Sequence, residues 1–242
     1  MEVSLAGKTI LITGGTSTLG FEFTKRALKN SAHIFFTYHT NETKARELSD
    51  LGAIGFKIDL AQTSEIKSLA SFLKTYTNAL DGLIHNAASV QDRTVQNMPE
   101  EEWDNVLNVD LKSVAYTTKE MLRFLFKKKP SKILNVISRV GLQGGFGQAN
   151  YAAAKGGLIA LTKSLAKELG KKKILVNALN PGFMMSKMTN GLPEDVLKRN
   201  RDESVLSEIS NPEEVADFMI YLMSDKMTLV SGQIFNFESR LQ

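Results

Sequence analysis

The chain has 242 residues, of which 43% are hydrophobic and 23% charged, an ordinary globular composition that excludes a disordered or collagen-like chain. It has no cysteine, which excludes disulfides, thiolate metal sites and a cysteine nucleophile and favours a reducing compartment. The net charge of +4 is too small to indicate nucleic-acid binding. No apolar run approaches the roughly 18–20 residues of a membrane span, and the N-terminus lacks the apolar region of a signal peptide. We therefore expect a cytoplasmic protein that binds neither nucleic acid nor a membrane.

Short apolar segments alternate along the chain with longer helical patterns. Strands are predicted at Thr9–Ile12, His33–Tyr38, Ile54–Ile58, Leu83–His85, Lys132–Ile137, Ile174–Leu179 and Gln233–Phe237. One helix is predicted to end at Leu28, and the others span Glu42–Leu51, Ser64–Tyr76, Glu100–Phe126, Ala149–Leu169 and Pro212–Leu222. This alternation predicts one α/β domain over residues 1–242, a Rossmann-type doubly wound parallel sheet of about seven strands with helices on both faces. The methionine-rich segment 183–210 is predicted to be an irregular substrate lid.

A glycine-rich turn lies between the first predicted strand and the first predicted helix. In such a turn the backbone N–H groups can approach a pyrophosphate, which the helix N-terminus also attracts. The alternative is a tight turn with no ligand. The residues that would line a phosphate site here are Gly14, Thr16, Ser17, Thr18, Leu19 and Gly20.

Tyr151 and Lys155 are four positions apart in a predicted helix, so their side chains share one face. A tyrosine has a pKa of about 10, and a fixed ammonium group beside it lowers that pKa toward neutral pH. Such pairs are common on helices and usually have no function. Here, however, Ser138 ends a predicted strand thirteen positions before Tyr151. Ligands of open α/β sheets bind at the carboxyl ends of the strands, where Ser138, Asn86 and the glycine-rich turn all fall.

With these features the chain resembles the short-chain dehydrogenase/reductase family. Thr13, Gly14 and Gly20 match the family's T-G-x-x-x-G-x-G fingerprint, while Thr18 replaces its middle glycine. A side chain there would crowd the approach to phosphate, although its hydroxyl could also donate to it. The resemblance implies that Ser138 holds the oxyanion, that Tyr151 delivers the proton, and that Lys155 tunes Tyr151 and binds the ribose hydroxyls of a bound dinucleotide.

The family's fourth catalytic position is an asparagine at a kink in the long central helix, and the matching residue here is Asp110. Asp110 keeps an acceptor, loses the amide donor and adds a negative charge near Lys155. Asn108 is not a substitute, because it lies two residues earlier and about 200° away around the helix.

The type of dinucleotide is predicted from the end of the second strand. An acidic residue there would bind the ribose hydroxyls and reject a 2′-phosphate. Tyr38 and His39 occupy this place and no acid follows directly, so NADP(H) is favoured over NAD. The arginine that NADP-dependent relatives carry in the glycine-rich turn is replaced by Ser17.

The resemblance assigns further cofactor contacts to the ends of three other strands. These residues are Asp59 and Leu60, then Asn86 and Ala87, and finally Pro181, Gly182, Met184 and Ser186. Asp59 has an alternative role as the N-cap of the following helix.

Methionines follow the sixth predicted strand. Met184, Met185 and Met188 are expected to shape an apolar lid, with core packing as the alternative for at least one of them. His85 departs from the family pattern and is interpreted as a hydrogen-bonded structural group. We expect no metal site.

Within the family, the chain resembles 3-oxoacyl-[acyl-carrier-protein] reductases over the segments 101–103, 147–169 and 181–183. This implies NADPH-dependent reduction of a 3-oxoacyl thioester on acyl carrier protein, in fatty-acid or polyketide-type biosynthesis. It also implies a homo-oligomer, either a dimer or a tetramer. Lys129 and Lys172 align with residues that dock the acidic carrier beside the active-site entrance, and the alternative is two solvated helix ends that offset helix dipoles.

Two other functions remain open from the sequence. The chain could be a dehydrogenase of another small alcohol or ketone, since the lid sequence does not exclude one. It could also be a catalytically weak dinucleotide-binding subunit of an active partner, which the departures at Thr18, Ala88 and Asp110 suggest.

Overall fold

A single seven-stranded parallel sheet forms the centre of the protein, in a computed structural model that describes residues 3–186, 189 and 191–240. The strand order is β3-β2-β1-β4-β5-β6-β7, with the change of direction between β1 and β4. The strands are β1 (Thr9–Ile12), β2 (His33–Tyr38), β3 (Ile54–Lys57), β4 (Gly82–His85), β5 (Ser131–Val136), β6 (Ile174–Asn180) and β7 (Ile234–Asn236). The predicted doubly wound sheet is confirmed.

Helices cover both faces of this sheet. They are α1 (Thr18–Lys29), α2 (Glu42–Asp50), α3 (Thr63–Tyr76), α4 (Glu100–Leu107), α5 (Ser113–Leu125), α6 (Val140–Gln143), α7 (Ala149–Leu169), α8 (Glu194–Asp202) and α9 (Pro212–Met223). Successive residues of β1 point to opposite faces, so Ile10 and Ile12 pack with α1, α2 and α9, whereas Leu11 packs with α3, α5 and α7. No helix in the described part of the chain is long and apolar enough to cross a membrane.

Two predicted elements differ from the structure. The helix predicted over Glu100–Phe126 is interrupted between α4 and α5 by a π-helical turn at Asn108–Lys112, where the resemblance implied a kink at Asp110. The segment 183–210, predicted to be irregular, contains α8. Its sequence places Glu194 and Asp195 in the first turn and arginines in the last, a charge order that the helix dipole favours.

The amino ends of the strands form the edge of the sheet opposite the site described below. Lys132, at the start of β5, is only 6% exposed, and its ammonium group donates hydrogen bonds to the carbonyls of Leu222 (2.9 Å) and Ser224 at the C-terminus of α9. Burial lowers the pKa of Lys132 to about 8.

Candidate active site

The glycine-rich turn is pressed tightly against its neighbours. Gly15 N–H donates to the carbonyl of Thr37 (2.8 Å), and Gly14 N–H donates to the hydroxyl of the same residue (3.2 Å). Gly14 has φ +66°, and a Cβ on Gly20 would lie 2.4 Å from the Gly14 carbonyl oxygen. Glycine is therefore required at both positions, because any side chain would force the turn open.

The N-terminus of α1 leaves backbone donors free for a ligand. Ser17 is the N-cap residue, and its hydroxyl accepts from Gly20 N–H (3.2 Å). Within the described chain, the N–H groups of Thr16, Thr18 and Leu19 have no hydrogen-bond partner. Free donors at a helix N-terminus behind a glycine turn suit the pyrophosphate of a dinucleotide, so the residues present fit the expected cofactor.

Asn86, which follows β4, holds this turn in place. Its buried side-chain amide lies within hydrogen-bond distance of the carbonyls of Thr13 (3.0 Å) and Gly14 (3.0 Å) and of the Ser17 hydroxyl (3.1 Å). The Thr13 hydroxyl in turn accepts from the N–H groups of Asn86 and Ala87, both at 3.1 Å. The sequence prediction gave Thr13 no role beyond its fingerprint match and overlooked Thr37, although a threonine where a strand meets a glycine-rich turn could have indicated both.

The end of β2 and the turn after β3 flank the expected adenosine position. Tyr38 is half-buried and His39 is exposed, and no acid lies between the end of β2 and Glu42. The Asp59 carboxylate accepts from Ala61 N–H (2.9 Å), so it closes a turn and is not the N-cap of α3. Leu60 packs in the core.

The hydroxyls and the ammonium group of the predicted catalytic set meet at the carboxyl edge of the sheet. Ser138 follows β5, and Tyr151 and Lys155 lie on one face of α7. The Lys155 ammonium is 3% exposed, lies 5.4 Å from the centre of the Tyr151 ring, and donates to the carbonyl of Val136 (3.2 Å). The Ser138 side chain lies close enough to Tyr151 to lower the pKa of its hydroxyl.

Asp110 lies in the π turn, completely buried, beside this set. One carboxylate oxygen accepts from Ser89 N–H (2.7 Å), and the other lies 3.1 Å from the Lys155 ammonium. His85 is also buried here, and its Nε2 is 2.9 Å from the hydroxyl of Thr118. Burial and the charge of Lys155 lower the pKa of His85 to about 3, so this imidazole is neutral and structural.

The segment after β6 closes the other side of the site. Gly182 has φ +78°, and a Cβ there would lie 2.1 Å from the Ser210 hydroxyl. The Thr189 hydroxyl donates to the Met184 carbonyl (2.9 Å) and accepts from Ser186 N–H (2.8 Å), a role that the sequence prediction missed.

The lid methionines have different environments. Met184 is 8% exposed and packs in the core, as expected for at least one of them, whereas Met185 is 40% exposed. Met188 lies outside the described residues. Pro181 directly follows the end of β6, as the sequence predicted.

The C-terminal segment ties the lid to the sheet. Glu238 is almost completely buried and accepts from the side-chain amide of Asn180, at the end of β6 (2.5 Å). Arg240 pairs with Glu238 and donates to the side chain of Asn200 in α8 (2.6 Å). A chain of polar contacts thus joins β6, the C-terminal segment and the lid helix.

Lys129 and Lys172 lie away from this site. They directly precede β5 and β6, at the amino edge of the sheet, whereas Ser138 follows the opposite end of β5. Six residues of strand separate these edges by about 20 Å. The expectation that these lysines lie beside the active-site entrance is therefore wrong within one copy of the chain, because α5 and α7 run away from the catalytic edge.

Comparison with known proteins identifies the family. A family model described as "Enoyl-(Acyl carrier protein) reductase" matches residues 14–238. The chain belongs to the short-chain dehydrogenase/reductase family. It is an oxidoreductase of that family, as the sequence predicted.

Individual relatives cover nearly the whole chain. The chain is 34% identical to a Thermotoga maritima protein and 31% identical to an Aquifex aeolicus protein, each over 98% of both chains, and both relatives are named 3-oxoacyl-[acyl-carrier-protein] reductase FabG. A solved structure described as "Pseudomonas aeruginosa RhlG/NADP active-site complex" is 26% identical, with a TM-score of 0.91 over 99% of this chain and 98% of that chain.

Proposed function

We propose that this reductase converts a 3-oxoacyl thioester into the 3-hydroxyacyl thioester with NADPH, the substrate being carried on acyl carrier protein. The observation that carries the proposal is that Ser138, Tyr151 and Lys155 lie together at the edge of the sheet that also carries the glycine-rich turn. The names of the bacterial relatives support the substrate class. The cysteine-free composition fits work in the reducing cytoplasm.

The side chains have separate tasks in this reaction. Bound NADPH would supply a hydride to the ketone carbon. The Ser138 hydroxyl donates a hydrogen bond to the ketone oxygen and stabilises the negative charge that develops there. The Tyr151 phenol transfers its proton to the same oxygen, so that a new C–H and a new O–H bond replace the carbonyl π bond. The Lys155 ammonium holds Tyr151 in place and balances the phenolate that remains until solvent reprotonates it.

A preference for NADPH over NADH is supported by the end of β2. Tyr38 and His39 stand where an acidic residue would repel a 2′-phosphate, and the next acid, Glu42, is bound to Lys57 (2.6 Å). The solved Pseudomonas aeruginosa relative is an NADP complex, which supports the same assignment.

Carrier docking on Lys129 and Lys172 requires a second copy of the chain. In one copy these lysines and Tyr151 lie at opposite edges of the sheet. We propose that α5 and α7 pair with their counterparts across a two-fold axis perpendicular to the helices. Such an axis runs the paired helices antiparallel, so that the lysines of one copy approach the catalytic edge of the other. The exposed Ala153 and Ala160 of α7 leave that face flat enough for close packing.

The experiment is NADPH consumption with an acetoacetyl thioester. A crotonyl thioester tests the double-bond reduction that the description of the family model suggests. A simple ketone tests for a general alcohol dehydrogenase, and NADH tests cofactor preference. We expect turnover of the acetoacetyl thioester alone, with NADPH preferred, and almost none with Tyr151→Phe. The absence of turnover with any acyl thioester at high enzyme concentration would contradict the substrate class.

A further inference from the structure

The carboxylate of Asp110 is completely buried and lies beside the ammonium group of Lys155. In Asp110, one oxygen is satisfied by Ser89 N–H at 2.7 Å. The other lies 3.1 Å from the Lys155 ammonium, yet no well-directed hydrogen bond reaches it from the part of the chain that the structure describes. A buried carboxylate without a counter-charge is very costly. The charge of Lys155 therefore favours the ionised form of Asp110, whereas burial, the larger effect, raises the pKa of this carboxyl.

The same contact acts on Lys155. Burial alone lowers the pKa of this lysine, but Asp110 and Tyr151 together raise it above its ordinary value. The remaining neighbours leave the ammonium charge almost unopposed, since Val136 offers a carbonyl and His85 is neutral. The ammonium group thus makes its directed hydrogen bond to the Val136 carbonyl, and Asp110 is the residue that offsets its charge.

Tyr151 experiences all the charges around it. Burial raises the pKa of its phenol, Lys155 lowers it, and Asp110 raises it again. The hydrogen bond with Ser138 lowers this pKa, and the more distant carboxylate of Asp92 raises it. The net result is a pKa above the ordinary value, so the phenol form predominates at neutral pH in the free enzyme.

We propose that Asp110 is a positioning residue that offsets the charge of Lys155, keeps Tyr151 as a proton-donating phenol, and thereby sets the site for ketone reduction. The inference rests on the proposed reductase function and deepens it. Reduction needs the phenol as proton donor, whereas alcohol oxidation needs the phenolate as proton acceptor. No enzyme changes the overall equilibrium, but the protonation state of Tyr151 decides the pH range in which each direction is fast. An asparagine at position 110 would leave the lysine's charge free to stabilise phenolate.

The test compares two carboxylate-to-amide substitutions by direct titration of Tyr151. Tyrosinate absorbance near 295 nm is followed against pH in the parent, Asp110→Asn and Asp92→Asn, and the same variants carrying Tyr151→Phe are subtracted. Asp92 is the matched control, because it loses the same charge but is exposed and bound to Gln148 (3.0 and 3.1 Å). We expect Asp110→Asn to lower the pKa of Tyr151 by about one unit. Solvent screening should make the shift in Asp92→Asn much smaller.

A kinetic measurement accompanies the titration. The pH profile of kcat/KM for alcohol oxidation should move to lower pH in Asp110→Asn, with a several-fold gain at pH 8. Retained NADPH binding and an unchanged circular dichroism spectrum show that the variant is folded. If Asp110→Asn does not fold, the titration of the parent protein serves as the test. A Tyr151 pKa well below 10 in the free parent enzyme would overturn the inference.

Other outcomes are equally decisive. Equal shifts in the two amide variants, or an unmoved tyrosinate titration in Asp110→Asn, would overturn the role of Asp110. Failure of the proposed function is distinguishable, because it would abolish ketone turnover in the parent while the tyrosinate titration, which needs no substrate, remained measurable.

Discussion

Replacing Asn86 with alanine should loosen the phosphate-binding turn, because the side-chain amide of Asn86 is hydrogen-bonded to the turn itself. The amide carries two N–H protons, which serve the carbonyls of Thr13 and Gly14 and the Ser17 hydroxyl at 3.0–3.1 Å. Asn86→Ala removes at least two full hydrogen bonds and leaves the buried Thr13 carbonyl without a donor, whereas the Gly14 carbonyl keeps its hydrogen bond from Ser17 N–H (3.0 Å). At about 1–2 kcal/mol for each, the free energy of unfolding should fall by about 2–4 kcal/mol.

The same change should weaken cofactor binding. The free N–H groups at the start of α1 bind phosphate well only while the turn is held in one conformation. If about 1.4 kcal/mol of the loss falls on ordering the turn, the Kd for NADPH rises about tenfold. For a chain of this size the melting temperature should fall by about 5–10 °C. Titration of intrinsic fluorescence with NADPH and thermal unfolding measure the two effects.

Asn30→Ala is the matched control for this prediction. The Asn30 amide donates one hydrogen bond of 2.9 Å to the Arg26 carbonyl, at the other end of the same helix. Its loss should cost about 1 kcal/mol of stability and leave the Kd for NADPH unchanged. If Asn86→Ala raised the Kd no more than Asn30→Ala, the assignment of Asn86 as the residue that holds the turn would be refuted.

Three further predictions concern other parts of the molecule. Tyr151→Phe should lower kcat/KM for ketone reduction by roughly 10²–10⁴-fold without changing NADPH affinity, and a smaller loss in a steady-state assay would contradict its role as proton donor. For Lys132, the folded-state pKa of about 8 lies below the ordinary value, so the unfolded chain binds more protons between about pH 8 and 10 and stability should rise across that range. Urea unfolding should show this rise in the parent and less of it in Lys132→Met, and parallel curves would contradict the assignment. The double variant Lys129→Glu/Lys172→Glu should lose turnover of carrier-bound substrate. Turnover should return when this variant is co-assembled with Tyr151→Phe in one oligomer. The absence of recovery would exclude docking across copies.

The alternation of strands and helices made the sheet predictable, because buried parallel strands need continuous apolar residues that few other elements carry. The spacing of Ser138, Tyr151 and Lys155 was predictable for a similar reason, since a strand end and one helical face are both local properties. The π turn was not predictable from local preference. Its sequence, Asn108–Lys112, has no glycine or proline. The contacts that Asp110 makes from this turn are tertiary ones, to Ser89 and Lys155.

The contacts that shape the site were also hidden from the sequence. Asn86 could be assigned to the site from its place after β4, but its partners in the glycine-rich turn lie about seventy residues earlier in the chain. The position of Lys129 was misjudged for the opposite reason. Sequence alignment assigns a residue to a motif, whereas the direction of α5 decides at which edge of the sheet that residue emerges.

The polar contacts of Glu238 and Arg240 have a practical consequence for handling this protein. A tag or label attached next to Arg240 would disturb the residue that donates to Asn200, and with it the lid helix α8. Lys8, which leads into β1, lies at the far edge of the sheet. A surface attachment at this far edge should therefore leave measured KM values intact, whereas one made next to Arg240 should distort them before it affects the melting temperature.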